Sequence, residues 1–368
     1  MKKVKIGILG LGAISGIYLK NLTKLFRDVE VIGIYDLVLE KISAAKSEYG
    51  IAKGYSSMEE LLQDPEIDIV LNLTRPFEHY ETTKAALLAG KHVYSEKPLA
   101  ACFEEGKELV TLAKEKGLLL GGAPDTFLGA GIQTCRKLID NGFIGRPVGA
   151  AARMICHGHE SWHPAPEFYY QYGGGPMMDM GPYYLTALVN LLGRVESLTG
   201  VTTKSFDTRT ITSSPHYGQT VNVDVPTHIN GIMQFANGAV ATITTTFDVY
   251  YDNSAALEIY GTKGTLRVPD PNCFGGPVML LRPEDGTFRE IPLVFHYSDN
   301  SRGLGLADMA KALQNNRAMR AGCEQTLHVL EIMTAFEKSS QEGRFITLKS
   351  SYERQNAMSS DSIPGILD

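Results

Sequence analysis

Short apolar runs that end in glycine or a polar turn alternate with stretches of helical spacing through the first third of the chain. The runs are Val4 to Leu9, Val29 to Tyr35, Ile67 to Leu73, His92 to Tyr94 and Leu118 to Gly121. Between them, Ile17 to Phe26, Glu40 to Tyr49, Met58 to Gln63, Glu81 to Ala89 and Glu104 to Lys116 place apolar residues on one helix face. Continuous apolar strands suit burial on both faces, and their alternation with helices predicts a doubly wound parallel sheet. This α/β part should occupy residues 1–123. Beyond it the pattern turns to strand pairs. Gly149 to Cys156 reads as a strand, and His228 to Phe235 and Ala239 to Tyr250 flank the hairpin signal Asn237, Gly238. Ala255 to Tyr260 pairs with Thr265 to Val268 across a Gly261 to Gly264 turn, and Val278 to Leu281 with Thr287 to Leu293 across Glu284 to Gly286. The second part, residues 124–368, is thus read as a meander with helices at Leu304 to Asn315 and Cys323 to Ser340 and a loose tail from Ser359.

Gly10, Gly12 and Ser15 follow the first strand as GxGxxS and lead into the first helix. One glycine permits the tight turn, the second lets backbone approach a pyrophosphate, and the free N–H groups of the helix face its charge. Asp36 closes the second strand near the spacing of an acid that accepts the adenosine ribose hydroxyls. A carboxylate there repels a 2′-phosphate, so NAD is expected over NADP.

Composition narrows the function without naming it. The 368 residues carry 35 basic against 41 acidic side chains, a formal −6, which argues against an electrostatic nucleic-acid binder. Five scattered cysteines without CxxC spacing suggest neither a disulfide framework nor a structural zinc site, and are expected reduced and mostly buried. MKKVKIGILGLG has too short and glycine-rich an apolar run for a signal peptide, so a cytoplasmic protein without a membrane span is expected.

Candidate chemistry gathers at GKHVYSEKP, Gly90 to Pro98. Pro98 stops strand pairing where Glu96 and Lys97 appear, and a charge at the carboxyl end of such a strand points into the ligand crevice. Asp179 and Tyr183 lie four apart at the start of an apolar helical pattern, Tyr183 to Leu192, which would put both on one face of its first turn. The stretch His157, His159, Glu160, Trp162, His163 offers imidazoles and a carboxylate that suit zinc, although HxHxxxH is no established zinc spacing. The other readings are a substrate-pocket rim and a plain surface loop. His328, on a predicted helix, reads first as a packed core histidine, with an approach to the pocket as the alternative.

GILGLGAISGIY, Asp36, DIVLNLTRPFEH, AGKHVYSEKPLA and GGGPMMDMGPYY together resemble the Gfo/Idh/MocA family of oxidoreductases. The resemblance implies a Rossmann domain followed by a substrate domain on a large open, mainly antiparallel sheet, whose open face another subunit covers in a homodimer or homotetramer. It implies hydride transfer between a sugar, glycoside or cyclitol hydroxyl and a nicotinamide cofactor. Gly10, Gly12, Ala13, Ile14, Asp36, Thr74, Arg75, His79, Glu96 and Lys97 would bind that cofactor. Lys97, Asp179 and Tyr183 would be catalytic, with Tyr183 where most members have histidine, as in glucose-fructose oxidoreductase. Asp125, His157, Trp162 and His163 would meet substrate, and no metal is implied. Arg75 stands where a proline is usual, His163 follows Trp162 where arginine is frequent, and Asp125 lies where Asn or Arg is common. Two other classes stay open: a redox-neutral glycosidase or lyase-like member that holds its NAD, and a non-catalytic nucleotide-binding sensor.

Overall fold

The computed structural model describes residues 2–250 and 253–368. The first part runs β1 (Val4–Leu9), α1 (Ser15–Lys24), β2 (Val29–Tyr35), α2 (Leu39–Tyr49), β3 (Lys53–Gly54), α3 (Met58–Gln63), β4 (Ile69–Asn72), α4 (His79–Leu88), β5 (His92–Ser95), α5 (Phe103–Glu115) and β6 (Leu120–Gly122). These strands form one parallel sheet in the order β3-β2-β1-β4-β5-β6. All four residues of β4 are buried, as an apolar strand enclosed by helices on both faces must be. Strand order reverses between β1 and β4, so their carboxyl ends open a crevice of the kind in which such sheets bind ligands.

The second part continues with α6 (Ala130–Asp140), β7 (Pro147–Ile155), α7 (Gly175–Asp179), α8 (Gly181–Leu192), β8 (Val195–Thr203), β9 (Thr208–Thr210), β10 (Thr220–Asn222), β11 (His228–Phe235), β12 (Val240–Thr246), β13 (Leu257–Gly261), β14 (Gly264–Val268), β15 (Val278–Leu281), β16 (Arg289–Ile291), α9 (Leu304–Asn315), α10 (Cys323–Glu342) and β17 (Ile346–Thr347). Nine of its strands form a sheet ordered β16-β15-β14-β13-β7-β12-β11-β8-β17, antiparallel except between β7 and β12. Strict in/out alternation along β11 marks a sheet buried on one face only. Every residue of α8 is buried, and it packs with α10, α6 and β7. The opposite face leaves Val201, Ile232 and Val240 exposed.

Four expectations change. Asp179 and Tyr183 do not share a helix: α7 ends at Asp179, Met180 turns the chain, and Tyr183 lies in the first turn of α8. The strand expected to reach Tyr250 leaves the sheet at Thr246, because Phe247 turns into the core and Asp248 faces Arg209. Of the five free cysteines only Cys135 is buried; Cys273 is exposed and the others are intermediate. The tail is pinned rather than loose. Gly365 accepts from the Arg27 N–H at 2.9 Å and donates to the Tyr297 hydroxyl at 3.0 Å, Arg320 pairs with Asp368 at 2.7 Å, and Leu367 is buried.

Candidate active site

β5 ends at Ser95 and passes directly into Glu96, Lys97 and Pro98 beside the crevice. Glu96 is tied on both oxygens: Oε1 accepts from the Tyr18 hydroxyl of α1 at 2.7 Å, and Oε2 from the Lys97 N–H at 2.9 Å. The lysine backbone is thereby fixed to both sides of the crevice. Lys97 Nζ donates to Asp179 Oδ1 at 2.7 Å and to the Asp179 carbonyl at 2.6 Å, and stands 5.3 Å from the Tyr183 ring centroid. An ammonium has three N–H bonds, so one remains for a ligand. Burial opposes the Lys97 charge, but the Asp179 carboxylate outweighs it and the ammonium titrates above the ordinary lysine range. For Asp179 burial likewise works against charge, while Lys97 and His159 bring the carboxyl down to about 2. Burial raises the Tyr183 phenol, partly offset by Lys97 and Arg302. Both proton-bearing groups therefore hold their protons at neutral pH.

Two further groups meet this pair. His159 Nε2 lies 3.3 Å from Asp179 Oδ2, the oxygen Lys97 leaves free. Arg302, from the loop before α9, sets its guanidinium carbon 6.0 Å from the Tyr183 ring and donates to Asn300 and Asn272 at 2.9 and 2.7 Å. Neither contact is legible in local sequence, because both join residues far apart in the chain.

Across the crevice the glycine loop has the shape a phosphate cradle needs. Gly10 adopts φ +95°, and a Cβ there would fall 2.7 Å from the Leu73 carbonyl, whereas a Cβ on Gly12 would meet nothing within 4 Å. The space beside Gly12 is thus open where N–H groups of the following helix begin. Ala13 and Ile14 lead into α1, and the Ser15 hydroxyl donates to the Gly12 carbonyl at 2.7 Å. Asp36 Oδ2 accepts from the Leu11 N–H at 2.6 Å and Oδ1 from Val38 N–H at 2.9 Å, so the carboxylate braces this loop and keeps a lone pair on each oxygen. Asn72 Oδ1 accepts from the Thr74 N–H and hydroxyl, and buried His79 spans from the Thr74 carbonyl at 3.0 Å to the Pro98 carbonyl at 2.7 Å. The Arg75 N–H donates to Glu78 Oε2 at 3.2 Å at the turn into α4, and the Arg75 side chain is exposed.

The chain belongs to a known family on two matches. Residues 4–122 match the model described as "Oxidoreductase family, NAD-binding Rossmann fold", and residues 132–267 the "GFO/IDH/MocA C-terminal domain". It is a Gfo/Idh/MocA oxidoreductase. The chain is 30% identical over 259 residues to 1,5-anhydro-D-fructose reductase of Ensifer adhaerens, covering 69% of this chain and 70% of that one. It is 24% identical over 365 residues to scyllo-inositol 2-dehydrogenase (NADP(+)) of Bacillus subtilis, covering 94% and 96%. Levoglucosan dehydrogenase in complex with NADH has the same fold, with a TM-score of 0.82 at 20% identity over 95% of this chain and 100% of that one.

Within this oxidoreductase the remaining expected residues fall into two groups. His157, Trp162 and His163 lie on the loop after β7, beside His159. The three histidines take separate partners: His157 stacks on Tyr250 at 3.6 Å, His159 meets Asp179, and His163 Nδ1 accepts from the Ala165 N–H at 3.1 Å. Among the described residues no group of three or more His, Cys, Asp or Glu side chains is arranged to hold a metal. Asp125 and His328 are placed elsewhere. Asp125, 1% exposed, accepts the Gly303 and Gly305 N–H groups at 2.9 and 3.0 Å and so caps α9 instead of facing substrate. His328 is fully buried, with Nε2 accepting from the Val195 N–H at 3.0 Å and Nδ1 2.8 Å from the Ser350 hydroxyl. It is the core histidine of its first reading.

Proposed function

We propose that the protein is a dehydrogenase or reductase of a sugar, glycoside or cyclitol hydroxyl, with NAD bound over residues 1–123 and substrate over residues 124–368. The observation that carries this reading is Lys97: a half-buried ammonium ion-paired with Asp179, beside Tyr183, at the crevice that the open glycine loop faces. Nicotinamide, when bound, supplies or accepts the hydride. Gly10, Gly12, Ala13, Ile14, Thr74 and Arg75 are the residues that would hold it, with Asp36 at the ribose; buried His79, with both ring nitrogens engaged by the Thr74 and Pro98 carbonyls, positions that loop without a free group for the cofactor. The proton is the protein's task. In reduction Lys97 donates its free N–H proton to the oxygen that becomes the hydroxyl; in oxidation that proton returns to the amine, and the Tyr183 hydroxyl shares the hydrogen bond. His157 and His163 supply polar contacts to neighbouring hydroxyls. The names of the relatives, a reductase of an anhydrosugar and a dehydrogenase of an inositol, support a polyol substrate.

NAD rather than NADP rests on Asp36, whose carboxylate repels a 2′-phosphate and engages the neighbouring cation, Lys41, at 3.8 Å, with the apolar Leu37 exposed beside it. Replacing Asp36→Ser together with Leu37→Arg should move the ratio of kcat/KM values toward NADP by at least ~10-fold, which corresponds to about 1.4 kcal/mol. The exposed face of the nine-stranded sheet is the proposed homodimer or homotetramer contact, and light scattering of the purified protein reads it directly. A cytoplasmic site of action fits this chemistry; no helix among the described residues is long and apolar enough to cross a membrane. The reading is tested by incubating the protein with NAD and separately with aldoses, anhydrosugars, glycosides and inositols. Absorbance growth at the NADH band with one class establishes it, and no growth with any class contradicts it.

A further inference from the structure

The loop after β7 carries a run of aromatic rings outward from the Asp179 carboxylate. His159 is its inner end, bonded to Asp179 and enclosed by Tyr169 at 4.2 Å and Phe247 at 4.7 Å. Trp162 lies one ring contact further out, edge-on to His159 at 5.3 Å and to His163 at 5.3 Å, and is 61% exposed. Phe168 continues the wall beyond His163 at 5.4 Å.

An exposed indole on a slack loop would mean little, but this loop is braced. Glu160 forms a buried ion pair with Arg209, whose guanidinium also reaches Asp248 at 3.4 Å and the His157 carbonyl at 2.8 Å. The Thr212 N–H donates to the Glu160 carbonyl at 2.9 Å, and the Ser213 hydroxyl donates to the His163 carbonyl. Backbone is therefore held on both sides of Trp162 while its ring stays in solvent. Holding a large apolar ring rigid and mostly in solvent buries little surface in the free protein beyond its edge contacts to His159 and His163, and it is the arrangement that aromatic platforms for amphipathic rings require.

We propose that Trp162 and His163 form an outer subsite for a second glycosyl ring, so that the preferred substrate is a glycoside or disaccharide whose inner ring reacts at Lys97. The inference rests on the oxidoreductase reading above. A pyranose presents C–H bonds on one face and hydroxyls at its edge; the Trp162 face takes the former and the polar His163 edge the latter. One ring seated against Lys97 and His159 fills the inner position, and the bond to its neighbour points along the wall to Trp162.

Trp162 is the only tryptophan of the chain, so all tryptophan emission comes from the proposed outer subsite. Cofactor-free full-length protein is titrated with glucose, myo-inositol, cellobiose, maltose and trehalose. At least one disaccharide should shift the emission and saturate at ~10-fold lower concentration than glucose or myo-inositol, and His163→Ala should weaken that response several-fold. With NAD added, Trp162→Ala should lower kcat/KM for that disaccharide about 10-fold relative to a monosaccharide, mainly through KM, with Trp162→Phe recovering part. Emission that answers monosaccharides and disaccharides alike, or a Trp162→Ala loss equal for both, overturns the subsite. A disaccharide-selective emission shift without turnover of any hydroxyl compound upholds the subsite and removes the oxidoreductase reading instead.

Discussion

Asp179 serves two partners through two oxygens, and this division governs the site. With Lys97 on Oδ1 and His159 on Oδ2, the carboxylate is fixed in one orientation and the lysine in one charge state. His159→Phe keeps a ring among Trp162, Tyr169 and Phe247 but removes the N–H from Oδ2. It should lower kcat roughly 10-fold with little change in NAD affinity, and His159→Gln should recover part of it; unchanged kcat in the Phe variant would show the contact to be passive. The pH dependence has a definite sign. Because Asp179 raises the Lys97 pKa, the acceptor form needed for oxidation becomes more populated as pH rises, so kcat/KM for oxidation should climb toward alkaline pH while reduction falls. Initial rates in both directions between neutral pH and pH ~10 check this. Lys97, Asp36 and the glycines were legible because strand ends, spacing and turn chemistry are local. The contacts of His159 and Arg302 were not, since each is made only when residues from distant segments meet. Asp125 misled because a buried carboxylate capping a helix and one awaiting a substrate look alike in sequence.

At the scale of elements, runs of apolar residues revealed five of the six described parallel strands to within a few positions; the two-residue β3, Lys53–Gly54, has no apolar run to reveal it. β8 escaped because buried and exposed positions do not alternate regularly along it, where it bonds β11 on one side and the two residues of β17 on the other. The break at Met180 escaped as well, since one apolar pattern spans a chain that turns between α7 and α8. The junction of α10 and β8 gives an element-scale prediction through His328. Burial lowers its pKa to about 4, whereas an unfolded histidine titrates near ~6.5. Between these values the unfolded chain binds more protons, so stability is lost as pH falls through that window. His328→Gln should flatten this loss in urea unfolding series run at pH ~4.5 and ~7. An equal loss in both proteins would place the acid sensitivity elsewhere.

For the whole molecule, the chain closes on itself. Gly122 N–H donates to the Ala321 carbonyl at 3.2 Å, Asp125 caps α9, and the C-terminal residues return to Arg27, Arg317 and Arg320. The two-part architecture was visible in the change from helix-alternating strands to hairpins; the return of the tail was not, because polar and glycine-rich composition reads as loose until partners are seen. Deleting Gly365 to Asp368 leaves the buried Arg320 short of one carboxylate and removes Leu367 from its buried site, and should lower the unfolding midpoint by a few degrees, at about 1–2 °C per kcal/mol lost for a chain of this length. Calorimetry with an unchanged midpoint would show the tail to be merely laid on the surface. The central claim is that proton transfer passes through Lys97, and the most direct test is turnover of Lys97→Met beside wild type with NAD and the best polyol of the panel. Turnover reduced at least ~100-fold, with NAD still bound, is the expected result; near-normal turnover would contradict the account.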